Sequence, residues 1–368
     1  MLRKLQLLTV VLVILSTNLF AQSSNDQLEF TAISAIKIFT PDQYNLQGKA
    51  WGGELAYHFN MADNKANYAT MLGISSIDIV ASYRSYQSLT INNDPASKGS
   101  LGSVYGLIGR LEIPVFKAGP VKLLFTPGIG FAYSTESYFD NKNPLVGSHL
   151  NLAAQGGLKL FTAITSTTGI QAGIDVFHYS NVGVRVPNFG INSYNLSLGL
   201  VQNIDQKGPS TPQNPFVYDH KSSIEFGGDL GMRGVFESRK ELHRAGFYAG
   251  YSYQLSPVFS LKGGFDAGYY FTPFNPKDFN ATFAEYGSSY DKWRAGISIG
   301  GDMMIGRLAV MAAYGYYLHY HSYYNNKTYW TPGLKYYVLP WMALQAKAYI
   351  HNTDADYLGL GLLFRVHP

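Results

Sequence analysis

The sequence predicts an all-β protein: a transmembrane, antiparallel, up-and-down β-barrel of about sixteen strands. Three observations lead there. Apolar residues recur at every second position over segments of barrel-strand length. Charged residues make up only 14% of the chain, where about a quarter is usual, while Tyr (29), Phe (22) and Gly (38) are abundant. Beyond the N-terminus, no apolar run reaches the roughly 18 residues needed for a helical span.

The N-terminus comes first. Arg3 and Lys4 precede an apolar run from Leu7 to Leu15, and Ala21 offers a small residue for cleavage. Residues 1–21 therefore read as a secretory signal, because the run is too short for an ordinary transmembrane helix. Removing the signal lowers the formal charge of +4 by two. Such a near-neutral chain gives no electrostatic case for nucleic acid as a partner. Cysteine is absent, which excludes cysteine zinc sites and Cys nucleophiles.

The strand pattern follows. Val121, Leu123, Phe125, Ile129, Phe131 and Tyr133 share one face, opposite Lys122, Gly130 and Ser134. Ile170, Ala172, Ile174 and Val176 alternate with Gln171, Gly173 and Asp175. The same period recurs at Ile224–Met232, Trp293–Ile299 and Leu358–Phe364. In a soluble sandwich, the polar face would carry many Lys and Glu. Here it carries Gly, Ser and scattered charges able to pair across a lumen. That favours apolar residues outward to lipid and small polar ones inward.

About sixteen such segments divide evenly around a Pro-rich stretch, residues 205–219, which cannot be a membrane strand. The organisation read from this is a barrel half over 22–204, a linker, and a second half over 220–368. Two architectures fit. The first is a single barrel of about sixteen strands, favoured because two complete barrels in one chain are uncommon. The alternative is an eight-stranded barrel followed by a second eight-stranded unit. With both termini periplasmic, odd-numbered strands run outward. The seventh, at about 168–180, then ends at the external surface.

That strand end carries candidate chemistry. His178 and Ser180 lie two apart, so they continue the outward row of Ile170, Ile174 and Val176. On the next strand, Asn192 shares parity with Leu196, Leu198 and Leu200. Polar groups in hydrocarbon are costly, whereas at the interface they meet head groups and ester bonds. A Ser–His pair there suggests ester hydrolysis, with His178 taking the Ser180 proton as the hydroxyl attacks an acyl carbonyl. Asn181 is a candidate oxyanion donor. The plain alternative is a polar, aromatic barrel rim without catalysis.

Phe177-His-Tyr-Ser-Asn181, followed by Pro187-Asn-Phe-Gly190, resembles the signature of the outer-membrane lipid A 3-O-deacylase family. Asp140-Asn-Lys-Asn-Pro144 and Gly147-Ser-His-Leu-Asn151 carry the likeness further, over roughly 30–204. In the second half, Trp330–Tyr337 and Lys347–His351 are similar to the longer, acyloxyacyl hydrolase-like members. The resemblance implies an outer-membrane barrel of eight strands that removes an ester-linked acyl chain from lipid A. Ser180 would be the nucleophile and His178 the base. The family's acid is a Glu, and Asn192 stands in its position. An amide can fix the imidazole tautomer but brings no negative charge, so Asp140 is kept as an alternative acid. The implied partners are lipid A in the outer leaflet and the barrel-assembly machinery. No cofactor and no catalytic metal are expected.

His319 and His321 also share a face, but two His without a nearby carboxylate in sequence make a weak ligand set. They read as part of an aromatic girdle. Three function classes stay open: a lipid A esterase, a catalytically silent pore or structural barrel, and a soluble binding sandwich.

Overall fold

The structure is a computed structural model describing residues 26–40, 44–61, 64–204, 221–273, 290–322, 326–351 and 354–367. The expected signal and the Pro-rich linker lie outside the described residues. The first sheet contains β1 (Gln27–Phe39), β2 (Trp51–Asn60), β3 (Ser76–Ser85) and β4 (Ser103–Ala118). It continues with β5, in two segments (Val121–Phe125 and Gly128–Ser134), then β6 (Leu150–Ala163), β7 (Thr168–Ser180) and β8 (Ile191–Asn203). Each strand pairs antiparallel with the next, and β8 returns to β1, with Phe30 opposite Leu200 and Ala32 opposite Leu198. The sheet is therefore a closed ring of eight.

The second sheet repeats the plan. It contains β9 (Ser222–Gly234), β10 (Glu241–Gln254), β11 (Phe259–Tyr270) and β12 (Trp293–Ile305). β13 (Leu308–His319) leads to β14, again in two segments (Thr328–Trp330 and Gly333–Leu339), β15 (Met342–His351) and β16 (Asp354–Val366). β16 closes on β9, with Phe226 opposite Phe364 and Leu230 opposite Leu360. The sixteen strands thus close as two rings of eight and not as one of sixteen. The favoured single barrel gives way to its alternative for a physical reason: β8 spends its free edge on β1, which leaves no edge for β9 to join.

Both broken strands break at Thr-Pro-Gly. Pro lacks the N–H a ladder needs, so regular pairing lapses there. The neighbouring groups keep the rings closed. Thr126 donates to the Gly157 carbonyl at 2.9 Å and the Pro127 carbonyl accepts from Leu111 at 2.9 Å. Thr331 donates to Ala313 at 2.8 Å and Pro332 accepts from Ala348 at 2.9 Å.

The alternation read from sequence is realised in space. Ile170, Ile174, Val176, Leu196, Leu198 and Leu200 are exposed on the first ring, as are Ile224, Leu230, Ile297, Ile299 and Leu360 on the second. Gln171, Ser193, Asn195, Glu225 and Asp229 are buried inside. An apolar exterior around a polar interior is the inverse of a soluble sandwich. Among the described residues, no helix is long and apolar enough to cross a membrane.

The lumens are filled by paired charges. In the first ring, Arg110 reaches Glu29 at 2.6 Å, Asp78 at 2.8 Å and Glu54 at 3.2 Å, and Lys159 reaches Glu29 at 2.7 Å. His58 bridges Glu29 and Asp78, at 3.0 Å each. In the second ring, Lys335 joins Asp302 at 2.6 Å and Glu225 at 3.1 Å, and Arg365 joins Glu225 at 2.7 Å. Asp356 gathers Arg233 at 3.0 Å, Arg294 at 3.1 Å, and Arg244. Each charge would cost several kcal/mol to bury alone, so the pairs stand or fall together.

The rings also touch at the end where β7 and β9 finish. Gly234 donates to the Gly183 carbonyl at 2.8 Å, Arg185 pairs with Glu241, and Arg239 approaches Asp140 at 3.8 Å. Replacing Arg110 with Ala leaves three buried carboxylates short of their cation. The variant is expected to lose about 3–5 kcal/mol in urea titrations of the vesicle-inserted protein, whereas Lys117→Ala at the exposed strand end leaves the midpoint unchanged. Steady single-channel conductance of the wild-type chain in planar bilayers would contradict two filled lumens.

Candidate active site

The last turn of β7's alternation sets the site. Phe177 and Tyr179 point into the lumen and are fully buried, with the Arg84 guanidinium 4.0 Å over the Phe177 ring and Tyr86 stacked near Tyr179. These anchors fix the strand end. His178 and Ser180, between and beyond them, must then project outward. Antiparallel register does the rest: His178 lies opposite Asn192 on β8 and opposite Ala154 on β6.

The three expected groups form one hydrogen-bonded line. The Asn192 Oδ1 lies 2.8 Å from His178 Nδ1, and His178 Nε2 lies 3.0 Å from Ser180 Oγ. The amide oxygen accepts from Nδ1–H, which holds the imidazole in the tautomer whose Nε2 carries a lone pair toward the serine hydroxyl. All three side chains are half-buried on the outer wall. A hydroxyl, an imidazole lone pair and an orienting amide in one line are the groups that acyl-transfer chemistry requires of a nucleophile, a base and its support.

The loop that follows is tied down in detail. Asn181 donates from its backbone N–H to Asn188 Oδ1 at 2.8 Å. Its side chain donates to the Arg185 carbonyl at 2.9 Å and accepts from Arg185 N–H at 3.1 Å. Asn181 is buried, and its backbone N–H and side-chain amide are engaged within the loop. Gly190 donates to the Leu145 carbonyl at 3.1 Å, and Val146 bridges Asn188. Gly190 has φ +69°, and a Cβ there would sit 2.9 Å from His178 Cε1 and 2.8 Å from the Tyr179 carbonyl. Only glycine fits over the imidazole in that conformation.

Asp140 is not brought to His178. Its Oδ2 meets His149 Nε2 at 2.7 Å, and it accepts from the Ser137 hydroxyl. Those bonds, Ser137 first, hold the exposed carboxyl below its ordinary pKa. His149 is itself stacked on Tyr133. Asp175 faces the lumen, as parity predicted, and accepts from Asn195 at 2.9 Å. In the sequence, Pro187-Asn-Phe-Gly190 reads only as a signature. The structure gives two of its members physical roles: Asn188 closes the loop and Gly190 clears space for the His178 imidazole.

A family model described as lipid A 3-O-deacylase (PagL) matches residues 37–201. A second, described as the acyloxyacyl hydrolase C-terminal domain, matches residues 221–368. No curated protein matches the chain. Among solved structures, the outer-membrane enzyme PagL is 22% identical with a TM-score of 0.31, covering 47% of this chain and 97% of its own. The outer-membrane protein Omp33 of Acinetobacter baumannii is 11% identical with a TM-score of 0.18, covering 94% of this chain and 100% of its own.

Gly190→Val puts a branched side chain against the imidazole in a strained backbone. It is expected to lower esterase turnover at least about tenfold while heat-modifiable migration on gels, the mark of a closed barrel, stays wild-type.

Proposed function

Because the chain belongs to the outer-membrane lipid A 3-O-deacylase family, with an acyloxyacyl hydrolase C-terminal domain as its second half, we propose that Ser180 and His178 hydrolyse an ester-linked acyl chain of lipid A. The protein is a bacterial outer-membrane β-barrel protein, its strands closed as two rings. The observation that carries the proposal is the line Asn192–His178–Ser180 on the wall that faces lipid.

The chemistry follows from the tautomer. His178 Nε2 takes the Ser180 proton as Oγ attacks the acyl carbonyl. The tetrahedral intermediate collapses, and Nε2–H protonates the departing sugar alkoxide. Water then attacks the acyl-serine with the same imidazole as base, which frees the fatty acid and restores Ser180. No metal enters any step. With periplasmic termini the site stands at the outer leaflet, where the exposed Val176, Tyr194 and Leu196 below it offer an apolar wall for acyl chains. Asn181, engaged in its loop, acts by holding the strand end and not as the oxyanion donor.

Asn192 supports a second reading. During the reaction His178 becomes cationic, and an amide stabilises that cation less than a carboxylate does. In the serine-protease triad, the Asp-to-Asn exchange lowers turnover about ten-thousand-fold. A barrel that holds lipid A and turns it over very slowly would share every contact described. The filled lumens give no support to a pore.

Mass spectrometry of lipid A after incubation with purified protein tests these readings. Wild type is expected to release one acyl chain, and Ser180→Ala and His178→Ala none. Asn192→Glu is expected to raise the rate at least about tenfold by restoring the charge. Lipid A left intact by both wild type and Asn192→Glu would overturn the esterase reading.

A further inference from the structure

The geometry points to a second site, distinct from Ser180 and His178: a divalent transition-metal site of the zinc type formed by Asp291, His319 and His321. The two histidines share a face at the end of β13, and by sequence they lack an acidic neighbour. The fold supplies one. Asp291 lies just before β12, and β12 pairs with β13 so that Ala295 stands opposite His319. The Tyr290 N–H also donates to the His321 carbonyl at 2.8 Å, which ties the two segments beyond the ladder.

The three side chains converge on one point. Asp291 Oδ2 lies 2.8 Å from His319 Nε2 and 3.1 Å from His321 Nδ1. The three donor atoms all lie within 4.8 Å of one another. Zinc binds imidazole nitrogen and carboxylate oxygen at about 2.0–2.1 Å in a tetrahedron, which sets donors about 3.3 Å apart. The two Asp–His spacings need to open by only about half an ångström to admit the ion. Both imidazoles are open to solvent, His319 being 45% and His321 66% exposed, so an ion can reach them. The carboxylate is oriented in advance. Its other oxygen, Oδ1, accepts from the Trp293 N–H at 3.0 Å, the supporting bond that metal-ligand carboxylates commonly have.

Donor chemistry selects the metal class. Two imidazoles and one carboxylate suit zinc, cobalt, nickel or copper. Calcium and magnesium require shells of six or more oxygens, which this set cannot supply. Three protein ligands leave a position for water or an added group. The other grouping of this kind among the described residues, Glu29, His58 and Glu112, is sealed in the first lumen, where Arg110 and Lys159 already pair with Glu29.

The site sits at the same end as the catalytic strand tip. β9 finishes beside Gly183, and antiparallel alternation brings the start of β12 and the end of β13 to that end. A bound ion there would pin the two strand ends together.

Titration of the purified, untagged full chain with Co²⁺, read by its visible ligand-field absorption, tests the inference. One Co²⁺ per chain is expected, displaced by Zn²⁺ and not by Mg²⁺ or Ca²⁺. His319→Ala, His321→Ala and the milder Asp291→Asn should each weaken binding at least tenfold. Asp291→Asn should process lipid A at the wild-type rate, so a failure here is distinct from a failure of the esterase reading. Heat-modifiable migration checks that each variant is closed. No saturable Co²⁺ absorption in the wild type, or unchanged binding by the His319→Ala/His321→Ala double variant, would overturn it.

Discussion

Closure of the backbone hydrogen-bond ring is the constraint on which the rest of the structure depends. In hydrocarbon an unpaired N–H or C=O costs several kcal/mol, so a sheet that spans must have no edge. Each half of this chain meets that demand by itself, through β8 on β1 and β16 on β9. Even at the Thr-Pro-Gly breaks the Thr N–H and the Pro carbonyl stay paired. Once the rings close, strand parity is fixed around the whole circumference. A one-residue slip would turn lipid-facing leucines into the lumen and lumen charges into lipid.

The geometry of the proposed site is a consequence of that parity. His178 and Ser180 belong to the outward row because Phe177 and Tyr179 are locked inward. Asn192 meets the imidazole because the β7–β8 register sets it opposite His178. The loop between the strands is equally constrained. Asn181 and Asn188 cross-link it, and Gly190 arches over the ring where no side chain fits. The site is thus preorganised by backbone pairing, by the buried Phe177 and Tyr179 anchors and by a short polar clamp.

The interior solves a different problem. An eight-stranded ring is just wide enough for side chains to fill, and lipid outside provides no hydrophobic reason for them to pack inward. Networks centred on Arg110 in one lumen and on Lys335 and Asp356 in the other take that role. Their members come from strands far apart in sequence, such as Glu29 and Lys159, so each network also locks the order of strands around its ring.

The sequence alone determined the alternation, the sixteen strands and the outward placement of His178, Ser180 and Asn192. All of these follow from a period of two, which is a local property of the chain. It also carried the family signature. It did not decide how many rings the strands make, because closure depends on which distant edges meet, and periodicity is silent on that. It offered Asp140 as an acid and Asn181 as an oxyanion donor. Tertiary structure gave Asp140 to His149 and bound Asn181 inside its own loop. It left His319 and His321 without a carboxylate, and the fold then brought Asp291 to them from just ahead of the neighbouring strand. Partnership between side chains is set by register and by loop path, and those exist only once the rings have closed.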